Sequence, residues 1–289
     1  MIYEGRVFRP PSEASSLIVQ STIGCSHNRC DFCDMYKEKV FREREVQSVL
    51  DDLSFSRRMY SKVERIFIAD GDALMRRTSD WLRLLEYIRS AFPECRRVSC
   101  YASPRSLLHK SAADLRLLRE LGLKMVYMGL ESGSDAVLVD INKGETADEI
   151  TEAGIKARDA GISLSVTVIS GLGGTALWEE HAVKSAEALS RMKPHYISLL
   201  TLMLVEGTPL YERSAKGAFK VPGPDEICAE TLLMLEHLDS EGSVFRSNHA
   251  SNYLALKGTL NQDIEPMKKL IKEALSGKIN YKGEWAREL

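Results

Sequence analysis

The stretch Gly24 to Cys33, "GCSHNRCDFC", gathers three of the chain's six cysteines into one short segment. Cys25, Cys30 and Cys33 stand as C-x4-C-x2-C, close enough for a single loop to fold their sulfurs around one soft metal centre. Thiolates select zinc, copper(I) or iron–sulfur. Three ligands fall short of a closed structural zinc site, which takes four, and Cys95, Cys100 and Cys228 are scattered, with no second C-x-x-C among them. His27, inside the loop, is either a ligand or a solvated polar residue. A four-iron cluster on three cysteines would instead leave one iron open to an exogenous ligand.

Working outward, the loop follows "SLIVQ" (Ser16 to Gln20), a short apolar run of strand type, and precedes Glu45 to Met59. There Val46, Val49, Leu50 and Leu53 mark the stripe of an amphipathic helix. This strand, loop and helix unit recurs. Strands are expected at "RIFIAD" (Arg65 to Asp70), "RVSCYA" (Arg97 to Ala102), "KMVYMGLES" (Lys124 to Ser132), "SLSVTVIS" (Ser163 to Ser170) and "YISLLTLML" (Tyr196 to Leu204). Helices are expected around Trp81 to Ile88, Ala112 to Leu121, Asp148 to Ala160 and Trp178 to Met192. Such alternation implies βαβ units and a parallel sheet with right-handed crossovers. Beyond it, Asp225 to Asp239 and Asp263 to Leu275 read as helices, with the polar "FRSNHASNYLALKG" between them.

The composition is that of a soluble globular protein: 289 residues, 44% hydrophobic and 28% charged, with net charge -2. That balance argues against an extended nucleic-acid surface. The first residues show no basic-then-apolar leader pattern, and no run approaches the roughly 18 apolar residues of a membrane span. The expected compartment is therefore the cytoplasm, where clustered cysteines serve metals or catalysis rather than disulfides.

In parallel α/β folds chemistry collects at the strands' carboxyl ends. Those ends carry the three cysteines, then Asp70-Gly71-Asp72, Tyr101 and Ser103, Glu131-Ser132-Gly133, Ser170-Gly171 and Glu206-Gly207. Each polar group also has a plain structural reading. Asp-Gly-Asp is a tight turn, and Glu131-Ser132-Gly133 is the cap of a following helix.

Together these features resemble the radical S-adenosylmethionine (SAM) superfamily, over residues 16 to 210. That family carries three cysteines after its first strand, usually C-x3-C-x-aromatic-C; Phe32 holds the aromatic place here, and the first spacing is one residue longer. The subgroup that it resembles includes oxygen-independent coproporphyrinogen dehydrogenases and elongator-type proteins. The resemblance implies an α/β fold, a partial (β/α)6 barrel of TIM type over residues 16–215. A segment 1–15 precedes it, and a helical extension, 216–289, closes the barrel mouth. It implies an oxygen-sensitive [4Fe-4S] cluster on Cys25, Cys30 and Cys33, with SAM at the open iron and reductive cleavage to a 5′-deoxyadenosyl radical.

For SAM the resemblance implies contacts from Asp70, Gly71 and Asp72 to the methionyl amine, with Phe32 and Ser103 beside them. Glu131 and Ser132 fall at its ribose and methionyl contacts, Ser170 and Gly171 near adenosine, and Glu206 and Gly207 at the adenine edge. Lys156 and Arg158 are the candidate cations for the methionyl carboxylate. Partners would be a small-molecule substrate and a low-potential donor of flavodoxin or ferredoxin type. The polar segment Arg246 to Asn252 is the expected substrate-facing stretch. His249, Cys100 and Tyr101 are the candidates for proton or hydrogen transfer, Cys100 being equally readable as a core thiol.

Two other classes compete. One is an iron–sulfur or zinc binding or sensor protein without radical chemistry. The other is a nucleotide-dependent oxidoreductase, suggested by Gly171, Gly173 and Ala176 in G-x-G-x-x-A. Against the latter, this glycine turn follows the fifth strand rather than the first.

Overall fold

The structure, a computed structural model, describes residues 3–287. After a 3-10 turn at Pro11–Glu13, β1 (Leu17–Gln20) is followed by β2 (Thr22–Ile23), β3 (Arg42–Glu43), α1 (Val46–Met59), β4 (Arg65–Ala69), α2 (Thr78–Ala91) and β5 (Arg97–Tyr101). Next come α3 (Pro104–His109), α4 (Ala112–Leu121), β6 (Leu123–Glu131), α5 (Asp135–Asp140), α6 (Ala147–Asp159), β7 (Ser163–Ser170), α7 (Trp178–Met192) and β8 (Tyr196–Thr201). The last elements are α8 (Pro209–Ala215), α9 (Pro224–His237), β9 (Val244–Ser247), β10 (Leu256–Thr259) and α10 (Ile264–Leu275). Eight strands form a mostly parallel sheet in the order β1-β4-β5-β6-β7-β8-β9-β10.

The described residues divide into two compact units. The first takes the chain up to Asn28, then Met35–Met128 and Lys156–Leu164. Here β1, β4, β5 and β6 run parallel, with Leu17 opposite Ile66, Arg65 opposite Arg97 and Cys100 opposite Val126. Alternation sends odd and even residues to opposite faces. Phe67, Ala69, Met125 and Tyr127 pack together with Ile18 and Tyr101 on one face. Ile66, Ile68, Val98 and Cys100, of opposite parity, are fully or nearly buried on the other. Local chemistry sets the helix ends: Ser111 and Asp114 form a capping box at α4, which stops at Gly122, and Ser103 caps α3 ahead of Pro104.

The second unit takes Arg29–Asp34, Gly129–Ile155 and the chain from Ser165 on. There β7, β8 and β9 are parallel, and β10 returns antiparallel to β9. The region after residue 215 was expected to be helical; it also contributes β9 and β10, and β9 pairs directly with β8. These strands lie at the two ends of the polar segment, four residues each, too short to show a period against their flanks.

A carboxyl group missed in the sequence ties β5 to β6 in the first unit. Glu13 is fully buried, and its Oε1 accepts from Tyr127 Oη at 2.5 Å, Arg97 Nη2 at 2.8 Å and Ser99 Oγ at 3.0 Å. Ahead of β1, Tyr3 Oη donates to Ile18 O at 2.8 Å, and the Gln20 amide exchanges two hydrogen bonds with the Glu4 backbone, at 2.9 and 3.1 Å. Glu13→Ala leaves the three donors on Oε1, and the Ser16 hydroxyl on Oε2, facing an empty site, and the expected cost is about 3 kcal/mol of unfolding free energy. Urea denaturation measures it, and a loss under about 1 kcal/mol contradicts the role given to Glu13.

Candidate cluster and cofactor site

The antiparallel pair β2–β3, with Thr22 opposite Glu43 and Ile23 opposite Arg42, brings together the two ends of the segment that carries the cysteines. Within the first unit a single carboxylate fastens that segment. Asp70, fully buried at the end of β4, accepts at Oδ2 from Gln20 Nε2 at 2.8 Å, Gly24 N at 3.0 Å and Lys39 Nζ at 2.9 Å. Its Oδ1 is buried with no hydrogen-bond partner. Gly71 N donates to Gly24 O at 3.1 Å. A Cβ at Gly71 would lie 2.5 Å from the Tyr36 ring and 3.1 Å from the Cys25 Cβ, so only glycine lets this turn lie against the first cysteine. Asp72 accepts from Ser103 N and Oγ, at 3.0 and 2.7 Å, and from the Ser26 hydroxyl. The Asp-Gly-Asp turn thus grips the loop around Cys25 on both sides.

Cys30 and Cys33 belong to the second unit. Asp31 N donates to Ile141 O at 2.9 Å, Asn142 Nδ2 to Arg29 O at 3.3 Å, and Leu210 N to Asp31 O at 3.0 Å. Cys30 is therefore flanked on both sides by bonds to the corner after α5. The next residue there, Lys143, is 8% exposed and pairs with Glu131 Oε1 at 3.1 Å. Its ammonium is held above the ordinary lysine range: burial opposes the charge, and Glu131, Cys30 and Glu145 more than compensate. Gly129 makes room for this pair, since a Cβ there would meet Glu131 Oε1 at 1.8 Å. Phe32 packs against the apolar cluster of Val137, Ile141, Leu172, Leu202, Leu210 and Phe219. All three loop cysteines are of intermediate exposure. Among the described residues, no group of three or more His, Cys, Asp or Glu side chains is gathered as a metal site.

The strand ends of the second unit hold a network that joins residues far apart in the sequence. Ser132 Oγ is 2.8 Å from His181 Nδ1 and accepts from Ser134 N at 3.0 Å. His181 Nε2 is 3.6 Å from Glu230 Oε1, and both Glu230 oxygens face Gly171 N, at 3.1 and 3.2 Å. Gly171 has φ +91°. Ser132, Ser170, His181 and Glu230 are all fully buried. One signal was available: Glu230 interrupts the buried stripe of Ile227, Thr231 and Met234 on α9.

The remaining candidates are more dispersed. Tyr101 meets Phe67 and Tyr127 edge to face at 5.2 and 6.2 Å. Cys100, on the other face of β5, is fully buried, and burial pushes its thiol well above the ordinary range. Lys156 Nζ donates to the Leu108 and Lys110 carbonyls near the end of α3, the former at 2.8 Å. Arg158 is partly buried, while Glu206 and Gly207 are exposed. His249 is partly buried, its Nδ1 accepting from Ser251 N at 3.2 Å. Burial and then Lys282 lower its pKa. Asn252 is buried and ties down β8, donating to Leu199 O at 2.8 Å and accepting from Thr201 Oγ1 at 2.9 Å. Arg44, between the cysteine loop and α1, pairs with Asp52 at 2.8 Å.

The buried pair makes a pH prediction. Burial, opposed by the Ile169 carbonyl, pushes His181 from 6.5 down to about 4. Burial, opposed by the Ser170 hydroxyl and Gly171 amide, pushes Glu230 from 4.5 up to about 8. Between pH 4.5 and 6.5 the folded and unfolded pairs each hold one proton, so the pair adds no slope. From pH 6.5 to 8 the folded pair keeps one proton that the unfolded pair lacks, so stability falls as pH rises. The expected fall is about 2 kcal/mol, and it disappears in Glu230→Gln. Equal pH slopes for the two proteins in urea titrations would contradict it.

The comparisons with known proteins agree with this fold. The family model described as the radical SAM superfamily matches residues 19–186. Heme chaperone HemW of Bacillus subtilis (strain 168) is 22% identical over 226 residues, covering 75% of this chain and 58% of HemW. The chain thus spans little more than half the length of that relative. The structure of coproporphyrinogen III oxidase (HemN) from Escherichia coli, a radical SAM enzyme, superposes with TM-score 0.57 at 20% identity, covering 76% of this chain and 52% of HemN. Elp3 of Methanocaldococcus infernus superposes with TM-score 0.54 at 14% identity, covering 91% of this chain and 63% of Elp3. These structures share the α/β arrangement with its mostly parallel sheet. Because the family match covers more than half of the residues and contains the whole cysteine loop, the chain belongs to the radical SAM superfamily.

Proposed function

We propose that this protein is a radical SAM enzyme that holds a [4Fe-4S] cluster on Cys25, Cys30 and Cys33, binds SAM there and takes hydrogen from a small-molecule substrate. The superfamily uses this cluster and SAM. The observation that carries the reading is the cysteine loop inside the family match, fastened near Cys25 by Asp70-Gly71-Asp72. The donor set fits the cluster: three partly buried thiols, soft ligands on one loop. Asp70 fits the methionyl amine, because its buried Oδ1 is an acceptor with no hydrogen-bond partner. When bound, the cluster supplies the electron that cleaves SAM to a 5′-deoxyadenosyl radical.

The chain's own residues bind and orient. Glu131 and Ser132 serve the ribose and methionyl groups, Ser170 and Gly171 the adenosine, Glu206 and Gly207 the adenine edge. Phe32 and Ser103 hold their segments in place. For the methionyl carboxylate Lys143 is a better cation than Lys156 or Arg158. It is buried beside the Cys30 segment, whereas the Lys156 ammonium is engaged by two backbone carbonyls. His249, whose Nδ1 accepts a backbone bond, keeps Nε2 for proton exchange with substrate. Tyr101 lines the inward face of β5, and Cys100 serves the core. A flavodoxin- or ferredoxin-type protein is the electron donor. The relatives' names, a heme chaperone, a coproporphyrinogen oxidase and Elp3, do not agree on a reaction, so no substrate is taken from them.

Anaerobic reconstitution is expected to give about four irons per chain, and dithionite with SAM to release methionine and 5′-deoxyadenosine. A protein that holds iron but never releases either product is a binding or sensor protein instead. Cys30→Ala is expected to lose the cluster absorbance. Lys143→Met is expected to weaken SAM binding about tenfold with iron content retained, while Lys156→Met is expected to bind as wild type. The opposite ranking in equilibrium dialysis overturns the assignment of Lys143.

A further inference from the structure

Glu230 and His181 are fully buried ionisable groups that the proposed chemistry leaves unused. A carboxyl in an apolar interior is costly unless it is paired, and glutamate is almost never fully buried otherwise. Glu230 is 0% exposed on α9, outside the family match, yet its two oxygens take the amide of Gly171 at 3.1 and 3.2 Å. Gly171 adopts a left-handed φ of +91°, and a Cβ there would lie 3.0 Å from the Ile227 side chain of the same helix. On the other side Glu230 Oε1 touches His181 Nε2 at 3.6 Å, and His181 Nδ1 holds Ser132 Oγ at 2.8 Å. The same turns of α7 hold Gly133 and Ser134. Gly133 N donates to Ser185 Oγ at 2.8 Å, and Ser134 Oγ donates to Glu180 at 2.6 Å. Gly133 is pressed so close that a Cβ would sit 2.1 Å from Lys184 O.

We propose that Glu230 and His181 are positioning residues for the nucleoside side of SAM. One carboxyl on α9 and one imidazole on α7 together set the Gly171 amide at the end of β7 and the Ser132 hydroxyl at the end of β6. The inference rests on the proposed function, which gives Ser132 and Gly171 to the cofactor. It adds that the region after the family core completes the cofactor site from behind. An apolar residue would fill the volume at 230 but would leave the Gly171 amide undirected; glutamine keeps an acceptor for it and cannot ionise.

The groups around the pair leave its proton to the pair itself. Burial is the largest cause of both shifts, and no charged side chain is among their causes. Glu180 and Lys184 on α7 are engaged with Ser134 and Glu187, and the Cys228 thiol on α9 bonds Tyr281. Above pH 8 Glu230 is ionised and stands 3.6 Å from His181 Nε2 as a buried charge.

The test is SAM dissociation constants of the anaerobically reconstituted full chain, measured at pH 7 and pH 9 with iron content and melting temperature alongside. Glu230→Leu is expected to weaken binding about tenfold with iron content unchanged, the scale of losses for partners that orient a ligand-binding group. Glu230→Gln is expected to bind near wild type at pH 7. The ratio of wild-type to Glu230→Gln dissociation constants, which cancels the titration of SAM itself, is expected to rise severalfold between pH 7 and 9. A Glu230→Leu protein that binds as wild type overturns the proposal. If that variant does not fold, a ratio unchanged by pH overturns it instead. A wild type that carries its cluster but never binds SAM fails on the proposed function, and this inference falls with it.

Discussion

One oxygen of one buried carboxylate sets the geometry of the cysteine loop. Asp70 Oδ2 receives the side chain of the residue that ends β1, the backbone amide at the loop's entry and the ammonium of Lys39 beyond the last cysteine. Lys39 also donates to Arg6 O, and Asn28 Nδ2 bonds Tyr36 O and Lys39 O at 2.7 and 3.1 Å. A loop of irregular backbone has few ladder bonds of its own, so its amides and carbonyls must find such partners. A buried ion pair of this kind adds little net stability over a well-packed apolar pair. Removing one partner is severe, because the other charge is then stranded. The pair therefore acts chiefly to specify where the loop lies.

The same logic recurs at two other depths. Glu13 gathers a tyrosine, a serine and an arginine from two strands, and Glu230 gathers an amide from the end of β7 and an imidazole from α7. In each case a polar group held in the interior ties together chain segments far apart in sequence. Apolar packing tolerates small slips between neighbouring elements, whereas a hydrogen bond weakens steeply with misalignment. Carboxyls at these points limit the ways in which the elements can be assembled.

Sequence range separates the legible features from the hidden ones. The alternation of strands and helices, the cysteine spacing and the polar strand ends are local patterns, and the expected elements appear with boundary shifts of a few residues, the last core strand ending at Thr201 rather than Leu204. The partners of Glu13, Asp70 and Glu230 lie tens of residues away or more, up to the 114 that separate Glu13 from Tyr127. No periodicity encodes such pairings. The strands β9 and β10 escaped for another reason: their four-residue runs, "VFRS" and "LKGT", owe their conformation to pairing and not to composition. Nothing in "NKGE" marks Lys143 by itself, because its place beside Cys30 comes from bonds between segments far apart in the sequence.

The covering of β1 has a consequence for association between molecules. That strand comes first in the sheet, with β4 as its ladder partner, and an uncovered edge offers a row of amides and carbonyls on which another chain can add a strand. The Tyr3 hydroxyl occupies the Ile18 carbonyl, and the Gln20 side chain meets Glu4 in place of a regular ladder. Residues 3 and 4 thus work as a selvedge: they use up bonding positions along the edge without themselves forming a strand that could be extended. Trimming these few residues would turn a finished border into a template for aggregation.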